Sequence, residues 1–155
     1  MRGGHVVAAV TIALLAVAAA APAATLTPPE RSVLAEMNRA RAGHGLRPLE
    51  VGPRLQLAAR AHASDMLRRD YFAHGPFLSR ILSYGAAGPA FGENLAWGSG
   101  ARGRASAIVA AWLASPGHRS NLLRPGFRRV GVAAPSGTFQ GIPGVRMVAA
   151  DFAGR

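Results

Sequence analysis

An acid and an amide stand side by side at Glu93 and Asn94, inside the run Phe91-Gly92-Glu93-Asn94-Leu95-Ala96-Trp97, whose other members are small or apolar. An ionised carboxylate in such surroundings loses hydration and must recover it from a partner charge or a hydrogen-bond donor. Two other segments offer donors: Tyr71-Phe72-Ala73-His74-Gly75 upstream, and Ser115-Pro116-Gly117-His118-Arg119-Ser120-Asn121-Leu122-Leu123 downstream. The fold is expected to bring all three together. Several chemistries are excluded at once. The chain has no cysteine, so neither a thiol nucleophile nor a cysteine-ligated metal is available. The HExxH spacing of a zinc protease is absent. Ser115 lies near His118 in the chain, but no Ser-His-Asp set can be assembled around it, and a serine before Pro-Gly at a helix end reads as a hydrogen-bonding cap.

Those segments need elements to carry them. Thr27-Pro28-Pro29-Glu30 combines an N-cap threonine, first-turn prolines and a capping-box glutamate, so a helix starts there. Val33, Leu34, Met37 and Arg41 follow at helical spacing, and Gly43 is a natural stop. Gly45 to Gly52, with Pro48 inside it, reads as an extended connection. Pro53 opens a second helix to about Asp70, with Leu55, Ala58, His62, Asp65 and Met66 sharing one face. His62 thus falls on or beside the buried stripe. The pattern favours a packed histidine bonded to a neighbour, Asp65 being one helical step away, over a metal ligand. His74 is open to two readings, a turn residue capping a carbonyl or a side chain at the lip of a cleft.

Leu78 to Tyr84 fits a short helix, Gly85 to Pro89 breaks it, and Gly98 to Gly103 reads as a flexible loop. Ile108, Val109, Trp112 and Leu113 mark a third long helix, ended by Ser115-Pro116-Gly117, which leaves His118 in a turn. Beyond Phe127 the period changes. Val130 and Val132 mark one strand, and Val145, Met147, Ala149, Asp151 and Phe152 a second. Helices first and strands last favour an α+β layered domain over an alternating parallel-sheet fold.

At 155 residues there is room for one domain with a real core. Residues 1–23 read as a signal peptide: a basic start, the Ala-rich apolar run Val6 to Ala21, then Ala21-Pro22-Ala23 as a cleavage site. The run is shorter than the ~20 residues a membrane span needs, and no transmembrane segment is expected after cleavage. The domain is assigned to residues 24–155, secreted or periplasmic, and expected as a monomer. The net charge is +11, and all 18 basic residues are arginines. A basic surface suits anionic cell-wall polymers, anionic lipids or acidic proteins. Nucleic acid is not expected as a partner, because the arginines are dispersed and no aromatic interleaving accompanies them.

Taken in order, Glu36-Met37-Asn38-Arg39-Ala40-Arg41, Ala58 to Met66, Tyr71-Phe72-Ala73-His74, Gly92-Glu93-Asn94-Leu95-Ala96 and Trp112-Leu113-Ala114-Ser115-Pro116-Gly117-His118-Arg119-Ser120-Asn121-Leu122-Leu123 resemble the bacterial branch of the CAP superfamily. This group, also called the SCP domain, includes cysteine-rich secretory proteins, venom antigens and plant pathogenesis-related proteins. The resemblance implies an α-β-α sandwich with a small antiparallel sheet between helices. It also implies a cleft with two histidines and one or two glutamates, able in several members to hold a divalent metal. By motif position His74 and His118 are the metal ligands and Glu93 the first glutamate, with His62, Asn94 and Ser115 lining the cleft. The second glutamate of eukaryotic members falls on Ser115, and the turn after His74 is shortened to Gly75, which implies a more open lip.

Two imidazoles and a carboxylate suit zinc, with waters completing a weakly held site. The resemblance then implies either of two functions. One is an extracytoplasmic binding module for a lipid, cell-wall or protein ligand. The other is a metal-assisted hydrolase of peptidoglycan or peptides, with Glu93 as general base or acid.

Overall fold

The computed structural model describes residues 25–155; the segment read as a signal peptide lies outside them. Among the described residues five α-helices and five strands are interspersed along the chain: α1 (Pro28–Gly43), β1 (Glu50–Val51), α2 (Pro53–Arg68), α3 (Phe77–Ser83), β2 (Phe91–Gly98), α4 (Ala105–Ala114), α5 (Pro116–Leu122), β3 (Phe127–Ala133), β4 (Ser136–Phe139) and β5 (Ile142–Gly154). The capping box forms as the sequence predicts. Glu30 N–H faces Thr27 Oγ1 at 3.5 Å, and Thr27 N–H donates to Glu30 Oε2 at 2.8 Å. The predicted glycine-rich loop contains a short 3-10 turn, Gly100–Gly103.

One sheet holds the molecule together, in the order β1-β3-β5-β2, with β4 also paired to β5. Its pairings are antiparallel except for β1 with β3, which is parallel. The expected antiparallel sheet therefore has one short parallel edge, drawn from the stretch read as an extended connection. The connection between the two predicted strands folds into β4, and the Glu93 segment is itself a strand, β2, paired with β5 along its whole length.

Alternation along the strands sends side chains to two different cores. Val130, Val132, Val148, Ala150 and Phe152 pack with Val33, Met37, Ile108, Val109, Trp112 and Leu122 from α1, α4 and α5. Ala133, Leu95, Met147 and Ala149 pack on the opposite face with Ala59, Ala63 and Met66 of α2. Leu55 and Ala58 extend that face toward Ile81 of α3. The result is the α-β-α sandwich that the resemblance implies. Every strand between two helical layers must be apolar on both sides, which is why β5 reads as an almost continuous apolar run with a single acid, Asp151.

Candidate functional site

Glu93 sits on the edge strand β2 with its side chain on the α2 side of the sheet, and only 2% of that side chain is exposed. Three basic groups converge on it. His74 Nδ1 lies 2.7 Å from Oε1, the Arg80 guanidinium is paired with Oε2, and His62 Nε2 is 3.8 Å from Oε2. Each arrives on a different piece of chain. His62 comes from α2, His74 from the turn after it, and Arg80 from α3, whose Nη1 also donates to the His74 carbonyl at 2.9 Å. The histidine that the sequence assigns to packing is buried, as read. Its bonded neighbour differs: His62 Nε2 meets the Ala73 carbonyl at 3.0 Å, while Asp65 turns to Tyr71 Oη, 2.8 Å away. Asp65 is also paired with Arg68 and Arg69, so its oxygens are taken up along α2 and by Tyr71 rather than by His62.

The downstream segment reaches the same strand from the other face. Pro116 does not merely end α4; it starts α5, so His118 stands in a helix's first turn rather than in a loop. Proline is favoured there because its missing N–H would have no partner in any case. Asn94 Nδ2 donates to the His118 carbonyl at 2.9 Å, and Asn121 Nδ2 donates to the Glu93 carbonyl and to Asn94 Oδ1, both at 3.1 Å. Asn121 thus satisfies a β2 carbonyl that no further strand covers, and Asn94 ties β2 to the first turn of α5. Gly92 is required by this arrangement, since a Cβ there would lie 2.8 Å from Asn121 Oδ1. Ser115 is the joint between α4 and α5; its side chain makes no capping hydrogen bond, contrary to expectation, and its backbone carbonyl accepts from Arg119 N–H at 2.8 Å. Trp112 is core, its Nε1 donating to the Leu95 carbonyl at 3.0 Å, whereas Trp97 is 37% exposed.

Two site residues escape a reading of the sequence. Arg80 lies on a seven-residue helix whose face toward the sheet is not visible in so short a period. Asp151 is legible only as a strand residue. It pairs with Glu93 across β2 and β5, so both side chains project from the same face of the sheet. Asp151 is fully buried, and with both acids ionised neither of its oxygens has a hydrogen-bond partner among the described residues. A proton on Asp151 resolves this by supplying a donor to Glu93. Burial, then the Glu93 charge, pushes the Asp151 carboxyl well above its ordinary range. Glu93 is also raised by burial, but Arg80 and the Asp151 hydrogen bond pull it back, so the negative charge of the pair resides on Glu93.

Asp151 keeps its proton in the fold where the unfolded chain has lost it, so its contribution to stability is complete below about pH 3.8 and is lost as pH rises through the raised value. His62 acts oppositely: burial and Arg80 push it down to about 4, and stability falls as pH drops from 6.5 toward that value. Asp151→Asn keeps a donor for Glu93 and cannot ionise. It is expected to raise stability at pH 8 by about 1 kcal/mol and to flatten the difference between pH 5 and pH 8, read from urea midpoints. A lower midpoint for the variant at pH 8 would show that the amide does not take over the hydrogen bond that the protonated acid gives Glu93.

Burial, and to a lesser degree His74, lowers the His118 imidazole from its ordinary value. His118 is not among the groups that pair with Glu93. As a metal centre the donor set fits poorly. Both Glu93 oxygens are engaged, one by a cation, and among the described residues no three His, Asp or Glu side chains are grouped to hold an ion. Beside the cluster, between α2 and α3, lies a cavity of about 570 Å³ whose walls include His62, Tyr71, Tyr84, Arg68, Arg69 and Arg80. Of the cleft residues expected from sequence, His62 alone lines it.

The chain matches the model of the CAP, Cysteine-rich secretory protein family, over residues 34–141. It is 35% identical over 108 residues to the uncharacterized protein YkwD of Bacillus subtilis, a match covering 66% of this chain and 41% of that one. The match therefore takes in less than half of that relative's length. Among solved structures, an outer surface protein of Borrelia burgdorferi superposes with a TM-score of 0.68 at 22% identity, covering 81% of this chain and 91% of that one. An extracellular SCP-domain protein of Bacillus anthracis gives 0.63 at 25% identity, over 84% and 45% of the two chains. Among the described residues no helix is long and apolar enough to cross a membrane.

Proposed function

The chain belongs to the CAP, cysteine-rich secretory protein family, and on that footing we propose that it works outside the cytoplasm, secreted or periplasmic, as a binding module for an anionic cell-envelope ligand. The observation that carries this reading is the state of Glu93. A general base needs a free oxygen within reach of the proton it takes. Here one oxygen is held by His74 and the other by Arg80 under a nearly closed surface. The carboxylate organises the edge of the fold and leaves binding to the surface around it.

That surface is basic. Arg68 and Arg69 stand 70% and 67% exposed beside the cavity between α2 and α3, and Arg69 covers the Tyr71 ring at 5.4 Å. With a net charge of +11, such a face attracts polyanions over distances set by salt. The names of the relatives, an extracellular and an outer-surface protein, support the location. Wall glycan bearing anionic polymers, anionic lipid and acidic protein share the required chemistry.

The test is co-sedimentation of the purified protein with bacterial sacculi before and after acid extraction of their anionic polymers, with phosphatidylglycerol and phosphatidylcholine vesicles, and with an immobilised acidic protein. At least one anionic arm should bind. Its affinity should weaken by roughly an order of magnitude as added salt shortens the screening length from about 10 Å to about 3 Å. Glu93→Gln should leave that affinity unchanged. The reading fails if no anionic arm binds, or if the protein cleaves peptidoglycan or peptides and Glu93→Gln abolishes turnover without lowering the melting temperature.

A further inference from the structure

We infer that Arg80 is a built-in cation for Glu93, filling with a guanidinium the place at this carboxylate that a divalent metal would otherwise take. The inference stands on geometry and does not depend on which ligand the surface binds. Arg80 reaches Glu93 Oε2 from α3 while its Nη1 donates to the His74 carbonyl at 2.9 Å. One side chain thereby fixes both the acid and the backbone of the segment that carries His74. The pair is buried on both sides, with 12% of the Arg80 and 2% of the Glu93 side chain exposed. Phe77 covers the guanidinium, its ring centre 5.7 Å away.

In such a setting a guanidinium does what a metal would do for the acid. It neutralises the charge, restrains the carboxylate and needs no deprotonated ligands. A metal arriving at Glu93 would meet a like charge at close range and would have to leave a buried guanidinium without its partner. His74 occupies the other oxygen, its Nδ1 being committed to Oε1, so neither oxygen of Glu93 is open to a metal. The carboxylate that resembles part of a metal site in sequence is therefore consumed by an internal ion pair. The determinant is a residue outside the motifs, at a position where Lys, Gln or Leu would equally suit a short surface helix.

The test compares zinc binding by the wild-type protein, Arg80→Gln and Arg80→Lys at pH 7, by calorimetry and by the shift in melting temperature with zinc and with magnesium. Wild type and Arg80→Lys should give no saturable one-to-one zinc binding at micromolar metal. Arg80→Gln should gain at least tenfold in zinc affinity over wild type, and a second substitution, His74→Ala or Glu93→Gln, should abolish the gain. If Arg80→Gln is unfolded without metal, zinc and not magnesium should restore its melting transition. Saturable zinc binding by the wild type that is lost with His74→Ala overturns the inference. So does an Arg80→Gln protein, folded or unfolded, that zinc leaves unchanged.

Discussion

Arg41→Leu is expected to cost about 3–5 kcal/mol, enough to unfold much of a domain whose total stability is of the order of 5–15 kcal/mol. Arg41 is fully buried at the end of α1 and faces no carboxylate. Its charge is met by four backbone carbonyls. Nε donates to Arg47 O at 2.9 Å, Nη1 to Leu122 O at 2.8 Å and to Arg124 O at 3.2 Å, and Nη2 to Phe127 O at 3.0 Å. Two of those carbonyls close the end of α5, where a cation also suits the helix dipole. Leucine matches the apolar surroundings but removes all four donated bonds; Arg124 O keeps the Phe127 N–H at 3.2 Å, while each carbonyl left without a donor costs about 1–3 kcal/mol where water cannot enter. Arg41→Lys, one compact charge without the planar fork, should recover part of the loss. Urea unfolding followed by tryptophan fluorescence measures both. A leucine variant within 1 kcal/mol of wild type would mean that water or a shifted α5 satisfies the carbonyls. Because α5 carries His118 and Asn121, a partially folded variant should also lose the clamp on β2.

Arg41 also illustrates what sequence can and cannot reveal. Its spacing from Val33 and Met37 puts it on the buried stripe, and there it is. What it bonds is invisible in the sequence, since three of its acceptors lie more than eighty residues away, in a segment with no side-chain chemistry to mark it. The same division runs through the site. Glu93 advertises its need for partners by standing in an apolar run, and His74 stands beside it. Arg80, the partner that neutralises it, sits in a helix too short to display a face. Asp151 carries a usable signal, an acid within the otherwise apolar run Met147 to Ala153, but identifying its partner requires the β2–β5 register. His118 lies one element away from its expected turn because Pro-Gly reads as a stop, although proline is as suited to a helix's first turn as to the residue after its end. Composition and periodicity locate burial; they do not fix which distant backbone a buried group will meet.

Gly131→Ala should be nearly as damaging, and its effect should reach Glu93 through the spacing of two layers. Gly131 lies opposite Asp151 on β5, which lies opposite Glu93 on β2, so the three form a row across the α2 face of the sheet. A Cβ at Gly131 would fall 2.1 Å from the Leu55 carbonyl carbon and oxygen and 2.4 Å from Gln56 N, all of them α2 backbone. Neither atom set can rotate aside, so α2 must lift from the sheet. Overpacking of this kind costs about 1–3 kcal/mol. The lift would also part Gln56 from β3, where its amide both donates to Val132 O at 2.6 Å and accepts from Val132 N–H at 2.8 Å, closing an edge that β1 leaves uncovered. A combined loss of about 3 kcal/mol or more is expected. The distinguishing readout is His62, carried on α2 nearly two turns further along. Burial holds it at about 4, and with α2 raised its imidazole gains water, so its titration should move toward 6.5. Nuclear magnetic resonance of the ring protons reports that shift at temperatures where the variant is still folded. A destabilised variant in which His62 still titrates near 4 would mean that the strain is absorbed at the Leu55 end, by bending α2, without disturbing the layer contact that sets the site.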